Sequence, residues 1–428
     1  VRRACARLLL LVVVLGASGY RHTGDDATAG PDPDAPALAV YNSEHYRLET
    51  NVDAATSQGY LRMLEAQWPQ LEAFFGAAPP LKTGEQLPVY VLAHAGDWQA
   101  KLTADGVRVP SGAGGYYHPG NRSVYLFRQP TIYNTRQLLL HETMHQFHYL
   151  ARTHNTGPKD TWYVEGLVEH LSRHHWDGET LELGVVPFCS LEDYPAKALA
   201  LFGQPEYDLA AMVASERPST RPEQWALVRF LLLGDDGRHA KQWARLAQRL
   251  DAGQAARSVF RKTIGDPAKL LPALRAWLPT QQEPFVPVWN EWIGLSANGV
   301  EGTATVTSAC RAREGARALA ARLHVPEGPW KGGLLIGFED PEACAVLLLD
   351  DRGGFVVNRR AHGAWHRLAS GTAPPPREGT YHLQAVRTDA GVSLWANDVA
   401  LGTFDLPGRK LGVCLDNCTL RFTEITWK

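Results

Sequence analysis

Two short stretches constrain this chain more than any other: His141-Glu142-Thr143-Met144-His145 and, beyond it, Trp162-Tyr163-Val164-Glu165-Gly166-Leu167. On a helix, residues four apart leave the same face about one turn apart, so His141 and His145 present two imidazoles to one side. At that spacing two neutral ring nitrogens reach a single Zn²⁺ at about 2.0–2.1 Å. Glu142 sits beside the pair, close enough to take a proton from water there but badly angled to be a ligand. A catalytic zinc site needs a third protein ligand and one open position. Glu165, on a second helix facing the first, is the expected third ligand. The competing reading of the same five residues is two solvent-facing histidines on an ordinary helix.

With those residues in view, the sequence resembles the gluzincins, metallopeptidases that hold zinc with two histidines and a glutamate. Nineteen residues separate His145 from Glu165, a spacing similar to the thermolysin type and one longer than the aminopeptidase type. The Trp162–Leu167 phrase is similar to the W-x-x-E-G-x signature of aminopeptidase-like members and of secreted bacterial "peptidase MA-like" proteins. The resemblance extends over roughly 41–278. It implies one Zn²⁺ per chain on His141, His145 and Glu165, with Glu142 as general base. It also implies that Glu169, one turn past Glu165, accepts a hydrogen bond from a ligand histidine and fixes its ring; the alternative is an ordinary solvated helix glutamate. The sequence departs from the pattern where many relatives place an oxyanion-stabilising tyrosine. Residues 220–228 here read Thr-Arg-Pro-Glu-Gln-Trp-Ala-Leu-Val, without one. Arg221, Tyr163 and Tyr194 are the candidates to replace it, and losing one such donor costs around 10²–10³ in rate.

A length of 428 residues implies more than one domain, and a net charge of −2 provides no polybasic field. Nucleic acid and anionic membrane are therefore not expected partners. Arg2, Arg3 and Arg7 precede an apolar run over 8–15, which reads as a signal peptide and leader over 1–29. The run is too short for a bilayer core of about 30 Å, so stable membrane insertion is not expected, the rival being a retained anchor. The protein is expected to be exported, extracellular or periplasmic after cleavage. A Pro-rich linker follows over 30–40.

Past the leader stand Cys189, Cys310, Cys344, Cys414 and Cys418. Cys414 and Cys418 flank Leu-Asp-Asn, a turn compatible with a hairpin cross-link, and Cys310–Cys344 would make a second bridge, leaving Cys189 free. Five buried free thiols are the alternative. No C-x-x-C pair is present, so a cysteine zinc site is not expected.

The expected fold class is α+β. A gluzincin-like domain over 41–295, with a mixed sheet plus helical bundle, precedes an all-β jelly-roll sandwich over 300–428. Apolar spacing predicts a helix over 54–75 that kinks or breaks at Pro69, a strand over 87–93 and a hairpin around Pro119-Gly-Asn121. By the resemblance that hairpin edges the cleft, where Gly114, Gly115 and Tyr116 would let a substrate backbone approach. Asn134 with Gln137 predicts the start of the zinc helix, and His174 and His175 the end of the second motif helix. Helices are predicted over 224–233, 240–250, 255–263 and 267–278. Short β-rich runs separated by turn residues fill 300–428, and its end resembles laminin-G or concanavalin-like sandwiches. The leading functional expectation is an exported zinc peptidase acting on a peptide or protein. One alternative is an inactive zinc-binding scaffold whose sandwich binds a glycan or cell surface; another is a structural domain without metal.

Overall fold

The computed structural model describes residues 37–428 except 111, 191, 290, 313, 314 and 407, so the expected signal peptide lies outside the described residues, as does most of the linker. The chain is mixed α+β and forms two compact units. The first takes the chain up to Pro130, Asn134–Arg173 and Tyr194–Thr280; the second takes Thr131–Tyr133, His174–Asp193 and Gln281–Lys428.

In the first unit, β1 (Ala39–Asn42), β2 (Tyr46–Thr50), α1 (Ala54–Phe75), β3 (Leu87–Leu92), α2 (Ala95–Ala104), β4 (Gly115–His118) and β5 (Ser123–Phe127) follow in order. Their sheet runs β1-β2-β3-β5-β4. The β2–β3 and β3–β5 pairs are parallel, and β4 lies antiparallel on β5 at one edge. Central β3 is buried at Leu87 and at 89–92, as a parallel strand covered on both faces must be. Helix α1 starts where Asp53 accepts from the Thr56 N–H and stops at Gly76, whose φ of 69° is left-handed. It runs through Pro69 without the expected break. Trp68 and Phe75 pack on Phe147, with ring centroids 4.9 and 5.8 Å away, and that packing offsets the missing backbone bond.

The two motif helices are α3 (Ile132–Arg152) and α4 (Thr161–Ser172). Helix α3 begins two residues before Asn134, which therefore lies inside its first turn and not at the cap. After α4 the backbone turns extended at Arg173, with ψ 123°. His174 and His175 consequently sit in a strand, β6 (His174–Trp176), and not at the helix end. Helices α5 (Tyr194–Phe202), α6 (Leu209–Val213), α7 (Arg221–Gly237), α8 (Ala240–Asp251), α9 (Ala256–Thr263) and α10 (Pro267–Trp277) complete the unit. Helix α7 starts at Arg221, earlier than apolar spacing predicted, because Thr220 and Glu223 form a capping box with Pro222 in the first turn.

The second unit is β-rich. It holds β6 and β7 (Leu181–Leu183), then β8 (Phe285–Trp289), β9 (Glu291–Ser296), β10 (Gly299–Ala312), β11 (Ala318–His324), β12 (Lys331–Asp340) and β13 (Ala343–Asp350). The rest are β14 (Gly354–Ala361), β15 (Ala364–Thr372), β16 (Thr380–Thr388), β17 (Gly391–Ala396), β18 (Val399–Phe404) and β19 (Gly412–Trp427). Strands β8 to β19 join in a curled, sandwich-like antiparallel sheet, β15-β14-β13-β12-β19-β11-β16-β17-β18, with β10 on β19, β8 and β9, while β6 and β7 pair in a small sheet of their own. Residues 296–299, expected to separate two domains, turn the hairpin between β9 and β10.

Strand alternation divides the core of this unit. Ala345, Leu347 and Leu349 of β13 face one cluster with Cys310, Val413 and Leu415. Cys344, Val346 and Leu348 face another with Ala309 and Cys414. Period-two geometry thus sends Cys310 and Cys344 to opposite faces, and the expected Cys310–Cys344 bridge is not formed. Cys414 and Cys418 lie four residues apart along the single strand β19, roughly 13 Å at strand rise, beyond disulfide reach. The expected hairpin cross-link fails because Leu-Asp-Asn continues a strand and does not turn.

Candidate metal centre

Packing brings three helices of the first unit to one place. Helix α3 is seated on α1 by Gln67, whose amide donates to the Leu140 carbonyl (3.2 Å) and accepts from the Thr143 hydroxyl (3.0 Å). Helix α4 approaches α7 through Gly166. A Cβ added there would stand 2.4 Å from the Gln224 carbonyl oxygen and 2.7 Å from Val228 Cγ2. Only hydrogen fits that gap.

The consequence is a buried trio. Nε2 of His141 and Nε2 of His145 are 3.2 Å apart. Glu165 Oε2 lies 3.5 Å from the first nitrogen and Oε1 lies 3.6 Å from the second. Four tetrahedral donors at about 2.05 Å from one ion stand roughly 3.3 Å from each other, so the three observed edges fit one zinc-sized cation. The trio also lacks internal satisfaction: neither Glu165 oxygen has a hydrogen-bond partner among the described residues. A buried carboxylate facing two imidazoles without a hydrogen bond is costly; Arg221 Nη2, 3.5 Å from Oε2, offsets part of that cost, and a cation held by the trio would offset the rest. The donor set of two nitrogens and a carboxylate suits zinc.

Electrostatics follow from burial and from Arg221, the first residue of α7. Its Nη1 donates to Glu169 in a very close contact and sits 3.3 Å from His141 Nε2, while its Nη2 is 3.5 Å from Glu165 Oε2. Burial pushes Glu165 up, but Arg221, His145 and His141 outweigh it and hold the carboxyl well below the usual range. Burial pushes His145 down to about 3, leaving it neutral as a metal ligand must be. Glu169 Oε1 stands 3.4 Å from His141 Nδ1, the ring nitrogen turned away from the trio. Glu142 is pushed up to about 7, chiefly by burial, although the Tyr117 backbone N–H reaches its carboxyl and opposes the shift.

The remaining expected site residues scatter. Gly115 lies against Glu142, whose Cγ would be 3.0 Å from an added Cβ. Tyr116 is near enough for Glu142 to add to the burial that raises its phenol. Gly114 instead packs on the Gln129 side chain, 2.9 Å from an added Cβ. Tyr194 stacks on the Arg173 guanidinium at 3.7 Å and lies within electrostatic reach of Arg221. Tyr163 is committed elsewhere: its hydroxyl donates to Asp251 (2.9 Å), which His148 Nε2 also meets at 2.8 Å.

Tyr149 escaped the sequence reading. It stands one turn past His145 on the ligand face of α3, with ring centroids 5.7 Å apart. Its phenol is raised chiefly by burial, with the charges of Glu165 and Glu142 and the nearby Tyr117 and Tyr116 adding to the shift. No hydrogen bond engages its hydroxyl among the described residues. The signal was the four-residue spacing 141-145-149. A second cluster, Glu44, His45 and Glu65, also has metal-like spacing. There His45 bonds Glu65 at 2.7 Å and stacks on Trp68, which already explains the grouping.

No family model matches the chain, and no curated protein matches it. Solved structures similar to part of it include a carbohydrate-binding module from Bacillus subtilis, at 16% identity and a TM-score of 0.30, over 34% of this chain and 95% of that one. Sheep galectin-11 in complex with glycerol is similar at 15% identity and a TM-score of 0.24, over 28% and 96%. A xylan β-1,4-xylosidase from Bacillus halodurans is similar at 13% identity and a TM-score of 0.26; this chain spans about a third of it, 32%, using 30% of its own length.

Proposed function

We propose that the first unit is a zinc-dependent peptidase of an exported protein, hydrolysing peptide bonds with Glu142 as general base. The observation that carries the reading is the buried His141–His145–Glu165 trio at mutual distances of 3.2–3.6 Å. When bound, Zn²⁺ supplies Lewis-acid polarisation of a carbonyl and a lowered pKa for water. Glu142 takes the proton of the attacking water and returns it to the leaving amine. The Tyr117 N–H reaches the Glu142 carboxyl and helps to orient it. Arg221 holds Glu169 and, through it, the His141 ring. With its guanidinium committed to two carboxylates, the uncommitted hydroxyl of Tyr149 is the better donor to a developing oxyanion.

The edge strand β4 is suited to pair with an extended substrate backbone. Gly115, with no side chain, lets β4 pack directly on Glu142 and Leu138 of α3, which holds the strand edge beside the general base.

The decisive experiment joins metal analysis to a broad peptide-library digest, with and without chelator. Stoichiometric zinc and chelator-sensitive cleavage are expected; a protein that takes up no zinc ends the reading. The second unit offers a basis for the alternative, a glycan-binding role. Exposed Trp365 lies beside Arg360, whose guanidinium is 5.8 Å from the ring centre and pairs with Glu342 at 2.8 Å. A flat aromatic face flanked by charged hydrogen-bonding groups suits a sugar ring. Glycan-array binding lost in W365A, in a protein without proteolysis, would favour that role.

A further inference from the structure

Cys189, expected to be free, and Cys310, expected to bridge Cys344, meet in the second unit. Cys189 Sγ and Cys310 Sγ lie 3.1 Å apart, closer than packed carbons at about 3.5–4.0 Å although sulfur is the larger atom. Both residues are fully buried, in one core cluster with Phe188, Phe285 and Trp292. Their meeting is fixed by backbone. Cys189 bridges Phe285, and the Phe285 N–H donates to the Phe188 carbonyl at 3.1 Å. Phe285 opens β8, whose residues 285–287 pair with Ala312, Arg311 and Cys310 of β10. The two sulfurs are thus held on neighbouring, hydrogen-bonded segments, and a rotation of the side chains suffices to join them.

We infer that Cys189 and Cys310 form a disulfide, which fastens the 174–193 excursion to the sheet of the second unit. This inference is independent of the peptidase reading. The oxidant is a disulfide, small or protein-borne, such as an oxidised thiol buffer or an oxidoreductase supplies. One cysteine thiolate attacks it, releasing the first thiol and leaving a mixed disulfide. The second cysteine displaces the other half, so two cysteine thiols become one S–S bond and the oxidant leaves as two thiols carrying both protons and both electrons. Because neither sulfur is accessible once the core has closed, the exchange belongs to folding, in an oxidising compartment. Burial also pushes the Cys189 thiol well up, so exchange in the folded state is slow. Cys344, Cys414 and Cys418 stay reduced. Two of them face the other core cluster, and the Cys418 sulfur lies 3.3 Å from the Lys331 carbonyl.

The test is non-reducing peptide mapping of the full chain, folded in a glutathione redox buffer and alkylated in denaturant. The expected product is one cross-linked peptide pair containing residues 189 and 310, lighter by two hydrogens than its parts. Cys344, Cys414 and Cys418 should all carry label. The link should survive reductant under native conditions and break in denaturant. Folding with reductant should lower the unfolding midpoint of the second unit by on the order of 10 °C. The C189A/C310A variant should show no such redox dependence. Label on both Cys189 and Cys310, or a linked 310–344 or 414–418 pair, overturns the inference, and the map of the unaltered chain decides this even if the variant misfolds.

Discussion

Replacing Gly166 by alanine tests whether close contact of two helices builds the metal centre. The new Cβ would lie 2.4 Å from the Gln224 carbonyl oxygen, 2.8 Å from its carbon and 2.7 Å from Val228 Cγ2. Two of these are backbone atoms of α7, and Val228 is β-branched and held to one rotamer. Relief requires α4 and α7 to part by about 1 Å. Two terms then compete. Alanine gains about 1 kcal/mol over glycine in a helix, while overpacking of this kind costs about 1–3 kcal/mol, so a net loss of about 0–2 kcal/mol is expected. The effect on metal is larger, since donor positions tolerate only about 0.2 Å and α4 carries both Glu165 and Glu169. Zinc affinity should fall at least tenfold, the scale seen when a ligand's supporting group is lost. Urea unfolding of the metal-free protein and zinc titration against a competing chelator give both numbers. A G166A protein as stable as its parent, with zinc affinity within twofold, would refute the reasoning. Full rescue by V228A would refute it too, because the carbonyl clash is untouched by that change.

Other outcomes follow from the same geometry. E142Q should keep stoichiometric zinc while losing peptidase turnover, whereas H141A, H145A or E165A should release the metal; metal analysis beside a peptide digest separates the two groups. R221M should destabilise the fold by about 3–5 kcal/mol, because Glu169 is left as an unpaired buried charge; R221M/E169Q should recover much of that in urea unfolding. Y149F should lower turnover by around 10²–10³ if its hydroxyl meets the oxyanion, and Y163F, whose hydroxyl is bound to Asp251, should not. Glu223 gives a pH signature. Burial raises its carboxyl, but bonds from Thr220, Arg217 and Tyr207 outweigh that and hold it below the usual range. A group depressed in the folded state stabilises above its unfolded value, about 4.3, and loses that contribution as pH falls through the folded value. E223Q should therefore cost about 1–2 kcal/mol at pH 7 and progressively less below about pH 4, measured by denaturant unfolding across pH.

Local pattern determined much of this protein. The His141–His145 spacing on a helix, the amphipathic stripe of α1, the β4–β5 hairpin and the helices from 240 to 277 are written in residue order and turn chemistry, which act over a few positions. Local pattern misled where it was read past its range. The Leu-Asp-Asn of 415–417 has the composition of a turn but runs on as strand, because pairing with β10 sets its conformation. Only the tertiary structure decided that Glu165 faces both imidazoles, that Arg221 is spent on Glu169, and that Tyr149 stands free on the ligand face. Such meetings depend on how closely helices distant in sequence approach, and here a single missing methyl group at residue 166 sets that distance. Cys189 and Cys310 make the same point, since sheet pairing through Phe285 brings their sulfurs together and nothing in the spacing of the cysteines announces it.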